Sequence, residues 1–424
     1  MAFLLIFALR YVRFIGHFIG YHWLYRPAEV FESQPLFTGE DVTVILPTVE
    51  PHGPDFEPCV VSILRAKPAN LFVVTVGESL LLECKRVLAE LKSLSPLTTV
   101  WVSALPVASK RKQVAHAVPR VTTAITILAD DHVFWPSDSF IASIIAPFED
   151  EDVGAVAPVK RVIRNTEGEW SFKSILNFLA CGYLQRHNWE LRASNAIDGG
   201  VFVISGRTAA YRTYVLQTPG LLHRLCNETF FFGLFGGKEG LGPDDDNFLT
   251  REVMHQGLKI KFQDTKDATI VTSLGEWPKF RGQLVRWART TFRSNPVMLR
   301  SPSFLARYPW SYLMVYVAGI TNFALLWDVA LIMALPSHGI LPVLALLSWF
   351  FFTKTVKLYP HLARHPDDIL LLPAQIAFGY VHSVVKLWAL LTFWDCGWSG
   401  RNLGEISTEG QEFAWEEVYS DEAR

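Results

Sequence analysis

"TAITILADDHVFWP" (residues 123–136) reads as a short buried strand that ends on three ligand-type side chains. Ile125 to Ala129 form a continuous apolar and β-branched run, the pattern of a strand covered on both faces, and Asp130, Asp131 and His132 follow at its carboxyl end. The same texture recurs upstream in "DVTVILPT" (41–48), "NLFVVTV" (70–76) and "TTVWVSA" (98–104), and downstream in "VGAVAPV" (153–159). Between two of these runs, "SLLLECKRVLAELKSL" (79–94) has the spacing of a crossover helix. Strands alternating with helices predict an α/β domain, doubly wound about a mostly parallel sheet, running from about residue 40 to 275. No internal repeat or low-complexity tract interrupts it.

Ligands of open parallel sheets bind at the carboxyl ends of strands, which makes Asp130, Asp131 and His132 candidate ligands for a hard divalent cation, Mg²⁺ or Mn²⁺. A solvated acidic turn is the competing reading. A second acidic cluster, "GPDDDNFLTREV" (242–253), runs into a helix; its Asp244, Asp245 and Asp246 suit either an N-terminal cap or a general base. "SKRKQ" (109–113) lies between two strands and offers phosphate-neutralising cations or a plain solvated loop. In "DGGVFVISGRTAAYR" (198–212), Gly206 suits a close backbone approach or a tight turn.

With 424 residues, 50% hydrophobic and 19% charged, fourteen Trp and thirty Phe, the chain is too apolar for an ordinary soluble enzyme and too mixed for an all-membrane protein. The net charge of -2 argues against nucleic acid as a partner. Cys59, Cys84, Cys181, Cys226 and Cys396 form no CxxC pair, so neither a zinc site nor a disulfide framework is expected, and a reducing compartment fits the catalytic part.

Residues 1–24 are long enough to span a bilayer, but Arg10, Arg13 and His17 interrupt them, which predicts a transmembrane or interfacial anchor. Three further apolar segments follow. The first (310–335) is expected to span, the second (340–356) is short but apolar, and the third (369–394) is interfacial or re-entrant because of Pro373, His382 and Lys386. Lys354, Lys357 and Arg364 favour the cytoplasmic side, and the acidic tail from 403 reads as loosely ordered. Just before this region, "RGQLVRWARTTFRSN" (281–295) places Gln283, Arg286 and Trp287 on one helical face. Arginine can grip a diphosphate and indole can wall a sugar ring, whereas a membrane-surface helix would bury Phe280, Leu284 and Phe292. On the combined reading Arg281, Arg289 and Arg293 serve lipid headgroups.

The order of these motifs resembles the membrane-embedded family 2 glycosyltransferases of the hyaluronan, chitin and cellulose synthase group, most of all the fungal type 2 glycosyltransferases. The resemblance spans about residues 40–402 and rests on "VTVILPTVEP", "KRKQ", "ADDHVFWP", "SGRTAAYR", "DDDNFLT" and "QLVRW". It implies a GT-A-like fold in a cytosolic domain (40–275), an interface helix (276–300) and a transmembrane region (310–394). By position, Thr48 and Glu50 would line the nucleoside pocket and Lys112 would hold the nucleotide. Asp130 to His132 occupy the Asp-x-Asp position, with His132 a departure from it. Asp246 matches the catalytic base with Asp245 in support, and Gln283, Arg286 and Trp287 would meet acceptor and diphosphate. "GWSGR" (397–401) is similar to a gating loop, with Trp398 and Arg401 as its reaching residues.

The resemblance implies an inverting, processive transfer from a UDP-sugar to a growing glycan, metal-assisted, at the plasma membrane, with the product threaded across the bilayer. A homo-oligomer is the alternative to a channel formed by one protomer. A non-processive enzyme that glycosylates a lipid such as ceramide is the alternative activity. A membrane adaptor or transporter with an α/β sensor domain would have no need of a base cluster beside a metal-binding strand end.

Overall fold

The computed structural model describes residues 1–31, 33–164, 171–231, 233–235, 241–337, 339–397, 406–407 and 412–418. They form two compact units: a sheet unit made of Pro27–Val159, Val203–Ser273 and Cys396–Arg424, and a helical unit made of Met1–Arg26, Lys160–Phe202 and Leu274–Asp395. The expected single block from 40 to 275 is therefore interrupted. Residues 160–202 leave the sheet unit to join the helical one.

The strands, in chain order, are β1 (Val42–Pro47), β2 (Asn70–Val76), β3 (Thr99–Leu105), β4 (Ile125–Ala129), β5 (Val133–Phe134), β6 (Val153–Val162), β7 (Thr208–Arg212), β8 (Lys259–Gln263), β9 (Thr269–Thr272) and β10 (Glu416–Glu417). They form one sheet in the order β10-β3-β2-β1-β4-β7-β6-β9-β5, with β8 beside β6. The half built from β3, β2, β1 and β4 is parallel, as the apolar runs predict, and β1 and β4 are buried along their whole length. Helices Phe56–Arg65 and Gly77–Glu90 contribute Cys59, Ile63, Leu81 and Leu88 to the core around Val44, Leu46, Val73 and Ile127. Each such aliphatic side chain stabilises the fold by about 1.5–3 kcal/mol.

One antiparallel neighbour decides where the site forms. β7 runs against β4 with Ala129 opposite Thr208, so the residues that enter β7 lie beside those that leave β4. The amide of Asp130 donates to the Arg207 carbonyl at 2.8 Å and closes that corner.

The acidic tail departs from expectation. β10 pairs antiparallel with the edge strand β3, Phe413 N donates to Ala104 O and Val418 N to Val100 O, both at 2.9 Å. Trp415 stacks on His116 with centroids 5.2 Å apart and packs 5.1 Å from Phe72. Aromatic burial outweighs the acidic composition of the segment.

In the helical unit, three helices among the described residues are long and apolar enough to cross a membrane: Ala2–Leu24, Ile340–Leu362 and Pro366–Leu390. Around the 27-residue helix Phe172–Asp198, Trp189 stacks on Phe14 and Tyr21. Two expectations are exchanged. The segment 310–335 is not one straight span, because Ser311–Thr321 and Ala324–Met333 meet at 86°. The segment around Lys386 is a continuous helix, and the ammonium donates to Gly319 O and to Asn322 O (3.2 Å), carbonyls at and beside that bend. A lone lysine is accommodated where broken backbone supplies acceptors.

Candidate active site

Lys110 stands at the centre of the polar cluster. Ser109 caps the helix Lys110–Ala117, its hydroxyl accepting from Lys112 N at 3.4 Å, so "KRKQ" is a first helical turn and not a loop. Successive side chains of a helix point about 100° apart, so the three cations take different directions. Lys110 Nζ contacts Asp130 Oδ1 at 2.6 Å, Gly206 O at 2.9 Å and Asp245 Oδ2 at 3.3 Å. Arg111 turns inward, 2% exposed, and binds Leu225 O, Pro243 O and Glu228 at 2.7–2.9 Å, tying down the segment that leads to the acidic helix. Lys112 lies half-buried on the same turn, and it is Lys110 that reaches the carboxylates.

The acidic helix Asp245–His255 begins after Asp244, whose φ of 68° is left-handed and which makes no side-chain cap. The capping account of this triplet therefore does not describe Asp244. Asp246 accepts from Gly206 N at 3.2 Å through Oδ2, and from Asn247 N (2.8 Å) and Nδ2 (3.1 Å) through Oδ1. Its carbonyl accepts from Thr250 Oγ1 at 2.6 Å, and that oxygen in turn accepts from Ile204 N, which locks the helix to the strand-entry segment.

Gly206 is the hinge of the arrangement. Its N–H faces Asp246 and its carbonyl faces Lys110, and a Cβ there would stand 3.0 Å from Lys110 Nζ and 3.4 Å from Asp246 Cβ. A side chain there would make Lys110 give way by a few tenths of an ångström, so glycine suits the close approach.

Burial pushes the Asp246 carboxyl up to about 6, helped by the negative charges of Asp245 and Asp244 and opposed by Lys110. Burial also opposes charge on Asp245, but Lys110 and Arg111 outweigh it and hold Asp245 below its ordinary value. Burial alone would lower Lys110; Asp130 and Asp245 more than offset this and raise it. Two adjacent carboxylates thus diverge: Asp245 stays charged beside the cation, and Asp246 is raised toward neutrality.

The strand-end triplet divides its work. Asp131 is 7% exposed; its Oδ2 accepts from Thr48 Oγ1 at 2.8 Å and its Oδ1 lies 3.1 Å from His132 Nδ1. If Nδ1–H donates to that carboxylate, Nε2 keeps its lone pair, the arrangement that orients metal-binding histidines. Asp130 and His132 are the more exposed pair, at 21% and 35% of their side chains. Among the described residues no three His, Cys, Asp or Glu side chains converge as a complete metal cage. A carboxylate oxygen and an imidazole nitrogen nevertheless suit a hard or borderline divalent ion whose other positions are filled by phosphate oxygens and water.

Thr48 likewise supports the site from within: it is 2% exposed and bonded to Asp131, and Gln113 Nε2 grips its carbonyl at 3.1 Å and that of Val74 at 2.7 Å. Glu50 follows just past β1, half-buried, its amide donating to Thr48 Oγ1 at 3.2 Å.

Gln283, Arg286 and Trp287 belong to the helical unit, on the helix Lys279–Leu299. All three are half-buried, and Trp287 stacks on Tyr183 at 5.3 Å. The expected apolar face holds, with Phe280, Leu284 and Phe292 buried. The arginines divide differently from expectation. Only Arg281 is exposed. Arg289 binds Thr392 Oγ1 (3.0 and 3.1 Å) and Asp395 (2.6 Å), and buried Arg293 donates to Phe393 O (3.2 Å) and Asp395 O (3.0 Å). They hold the chain just past the helix Leu372–Leu390 instead of facing lipid headgroups. Trp398 and Arg401 lie outside the described residues.

The structure thus brings together Asp130, Asp245, Asp246 and Gly206, with Asp131, His132, Thr48 and Glu50 beside them, and adds Lys110 and Arg111. Ser109 was the available signal for these two, since a serine cap turns the basic run into a helix start.

Residues 42–290 match the family model described as glycosyltransferase like family 2. A type 2 glycosyltransferase of Gibberella zeae is 36% identical over 94% of this chain and 75% of its own length, and one of Zymoseptoria tritici is 35% identical over 96% and 84%. Among solved structures, the mannosyltransferase PcManGT from Pyrobaculum calidifontis, in complex with GDP-Man and Mn²⁺, superposes with a TM-score of 0.54 at 19% identity, covering 92% of this chain and 99% of that one. This last likeness concerns the fold.

Proposed function

Since the chain belongs to glycosyltransferase like family 2, we propose that it transfers a sugar, with inversion, from a nucleoside diphosphate sugar to a hydroxyl of a growing glycan, Asp246 acting as the base. The observation that carries this reading is the Gly206 corner, where the N–H of one residue holds Asp246 and its C=O holds Lys110, the partner of Asp130. A proton acceptor is thereby fixed beside a strand end suited to a diphosphate.

The acceptor O–H would give its proton to Asp246 as its oxygen bonds the anomeric carbon; the bond from that carbon to the diphosphate oxygen breaks, and the nucleoside diphosphate leaves. One displacement inverts the anomeric centre and needs no second carboxylate as nucleophile. The negative charge that develops on the leaving group would fall near Lys110, a cation already in place. Asp130 and His132 would hold Mg²⁺ or Mn²⁺, which when bound neutralises diphosphate charge; relatives in fold have been solved with such an ion. Asp131 and Thr48 keep His132 oriented. Gln283, Arg286 and Trp287 are proposed to meet acceptor and diphosphate, and Trp398 and Arg401 to gate them. A UDP-sugar donor, polymer formation and export across the plasma membrane complete the reading. The three candidate membrane-crossing helices, and a homo-oligomer to enlarge their number, are compatible with export.

Purified protein supplied with Mn²⁺ and radiolabelled UDP-sugars in turn tests the product. The expected result is material of high molecular weight with inverted linkages; one sugar per lipid molecule would replace polymerisation by lipid glycosylation.

A further inference from the structure

Inside the helical unit, a cavity lined by none of the residues assigned to transfer carries Arg10, Arg13, Arg186, Lys354 and Lys357 on its wall and Glu190 as its acid. Glu190 is shared by Arg13 (2.6 Å), Lys357 and His17 (2.7 Å). The neighbouring Asp328 takes Lys354 at 2.6 Å and Arg10 at 3.5 Å. Five cations therefore face two carboxylates, and among the described residues Arg186 has neither an ion pair nor a hydrogen bond. Excess positive charge among membrane helices is costly, because desolvation of each ion takes several kcal/mol unless a counter-charge is present.

A second observation points to a polar ligand. Gln375, 3% exposed, lines the same cavity, and neither its Nε2 nor its Oε1 has a hydrogen-bond partner; Arg13 Nε is likewise buried without one. Buried amides without partners are rare, and two free donors beside a guanidinium that feels Glu190 only at a distance suit an anion rich in acceptor oxygens. The remaining wall is apolar, with Leu9, Met314 and Trp327, and two of the helices that contribute to it, Ala2–Leu24 and Ile340–Leu362, are long and apolar enough to cross a bilayer.

We infer that this cavity binds a phosphate group, with the head of an anionic phospholipid as its source and acyl chains lying along the apolar wall. A single phosphate supplies part of the missing negative charge and accepts from Arg186 and Gln375 together. Soluble phosphate shares the chemistry, and the experiment separates the two.

Native mass spectrometry of the full-length protein, released from micelles holding equal phosphatidic acid and phosphatidylcholine, reads the preference directly. The wild type is expected to retain one phosphatidic acid at least tenfold over phosphatidylcholine, and Arg186→Gln to lose that preference. Removing Arg186 orphans no carboxylate, and an unchanged melting temperature verifies the fold; Gln375→Leu, which removes the amide without touching charge, serves if it does not. A melting shift with inorganic phosphate that Arg186→Gln abolishes, without retained lipid, keeps the phosphate site and makes its source soluble. Equal retention of both lipids with no phosphate shift, or undiminished phosphatidic acid in both variants, overturns the inference.

Discussion

At the scale of single residues, the chemistry depends on how one ammonium is divided among carboxylates. Lys110 sits 3.3 Å from Asp245 and opposes the rise at Asp246, so the two neighbours have opposite effects on Asp246. The reactive form is the carboxylate, so transfer should fall as pH drops through about 6, on a limb with a slope of one proton. Asp245→Asn removes a negative neighbour and should move that limb to lower pH; Lys110→Met removes the opposing cation and should move it higher. A pH profile of single-turnover transfer checks the signs, and a shift in the same direction for both variants would contradict the assignment. For stability the sign is reversed: with its value raised from the usual 3.8 to about 6, folded Asp246 binds its proton more tightly than the unfolded chain, so its contribution to folding is present below 3.8 and lost as pH rises through 6. Asp246, Asp130 and Gly206 were legible as candidates because strand ends and helix starts are written in local pattern. The resemblance pointed to Lys112, for the nucleotide; that Lys110 reaches Asp130 and Asp245 was not legible, since it depends on the helix phase set by Ser109.

Among the elements, the strands were the most readable: β1 to β4 and β6 are continuous apolar runs, and buried parallel strands have no other way to be written. Arginines were the least readable. Arg293 binds carbonyls about a hundred positions away, a partner no local spacing encodes. Arg293→Ala leaves those carbonyls without their donor and should cost about 1–3 kcal/mol, whereas exposed Arg281→Ala should stay within about 0.5 kcal/mol. Thermal unfolding in one detergent compares them, and equal losses would mean that both face the same surroundings. The tail strand escaped prediction for a related reason, since its partner is the edge of β3 and its anchor is the stack on His116. Trp415→Ala should speed hydrogen exchange at the Phe413 and Val418 amides, because the aromatic contact that holds β10 is worth about 1 kcal/mol or more. Unchanged protection there would show that the backbone pairing is sufficient.

For the whole molecule, the chain passes between a sheet unit with the acids and a helical unit with the Gln-x-x-Arg-Trp motif, crossing near 26, 160, 202, 273 and 395. Composition announced both characters, and the family assignment agrees with the fold. Composition did not reveal that the helix Phe172–Asp198 belongs to the helical unit, because its mixed surface packs against aromatic residues from the distant N-terminus. The bend near Asn322 was equally hidden, as an uncharged apolar segment carries no mark of where its hydrogen-bond ladder breaks. Everything proposed for the reaction converges on one proton transfer. Asp246→Asn keeps the size and shape of the side chain and one of its two accepting positions, toward Asn247 or toward Gly206, while removing basicity. The direct measurement is UDP binding and transfer by the same preparation: UDP affinity should change less than about threefold, while transfer falls by about 10²–10⁴-fold. Near-normal transfer by Asp246→Asn would remove Asp246 from the role of base.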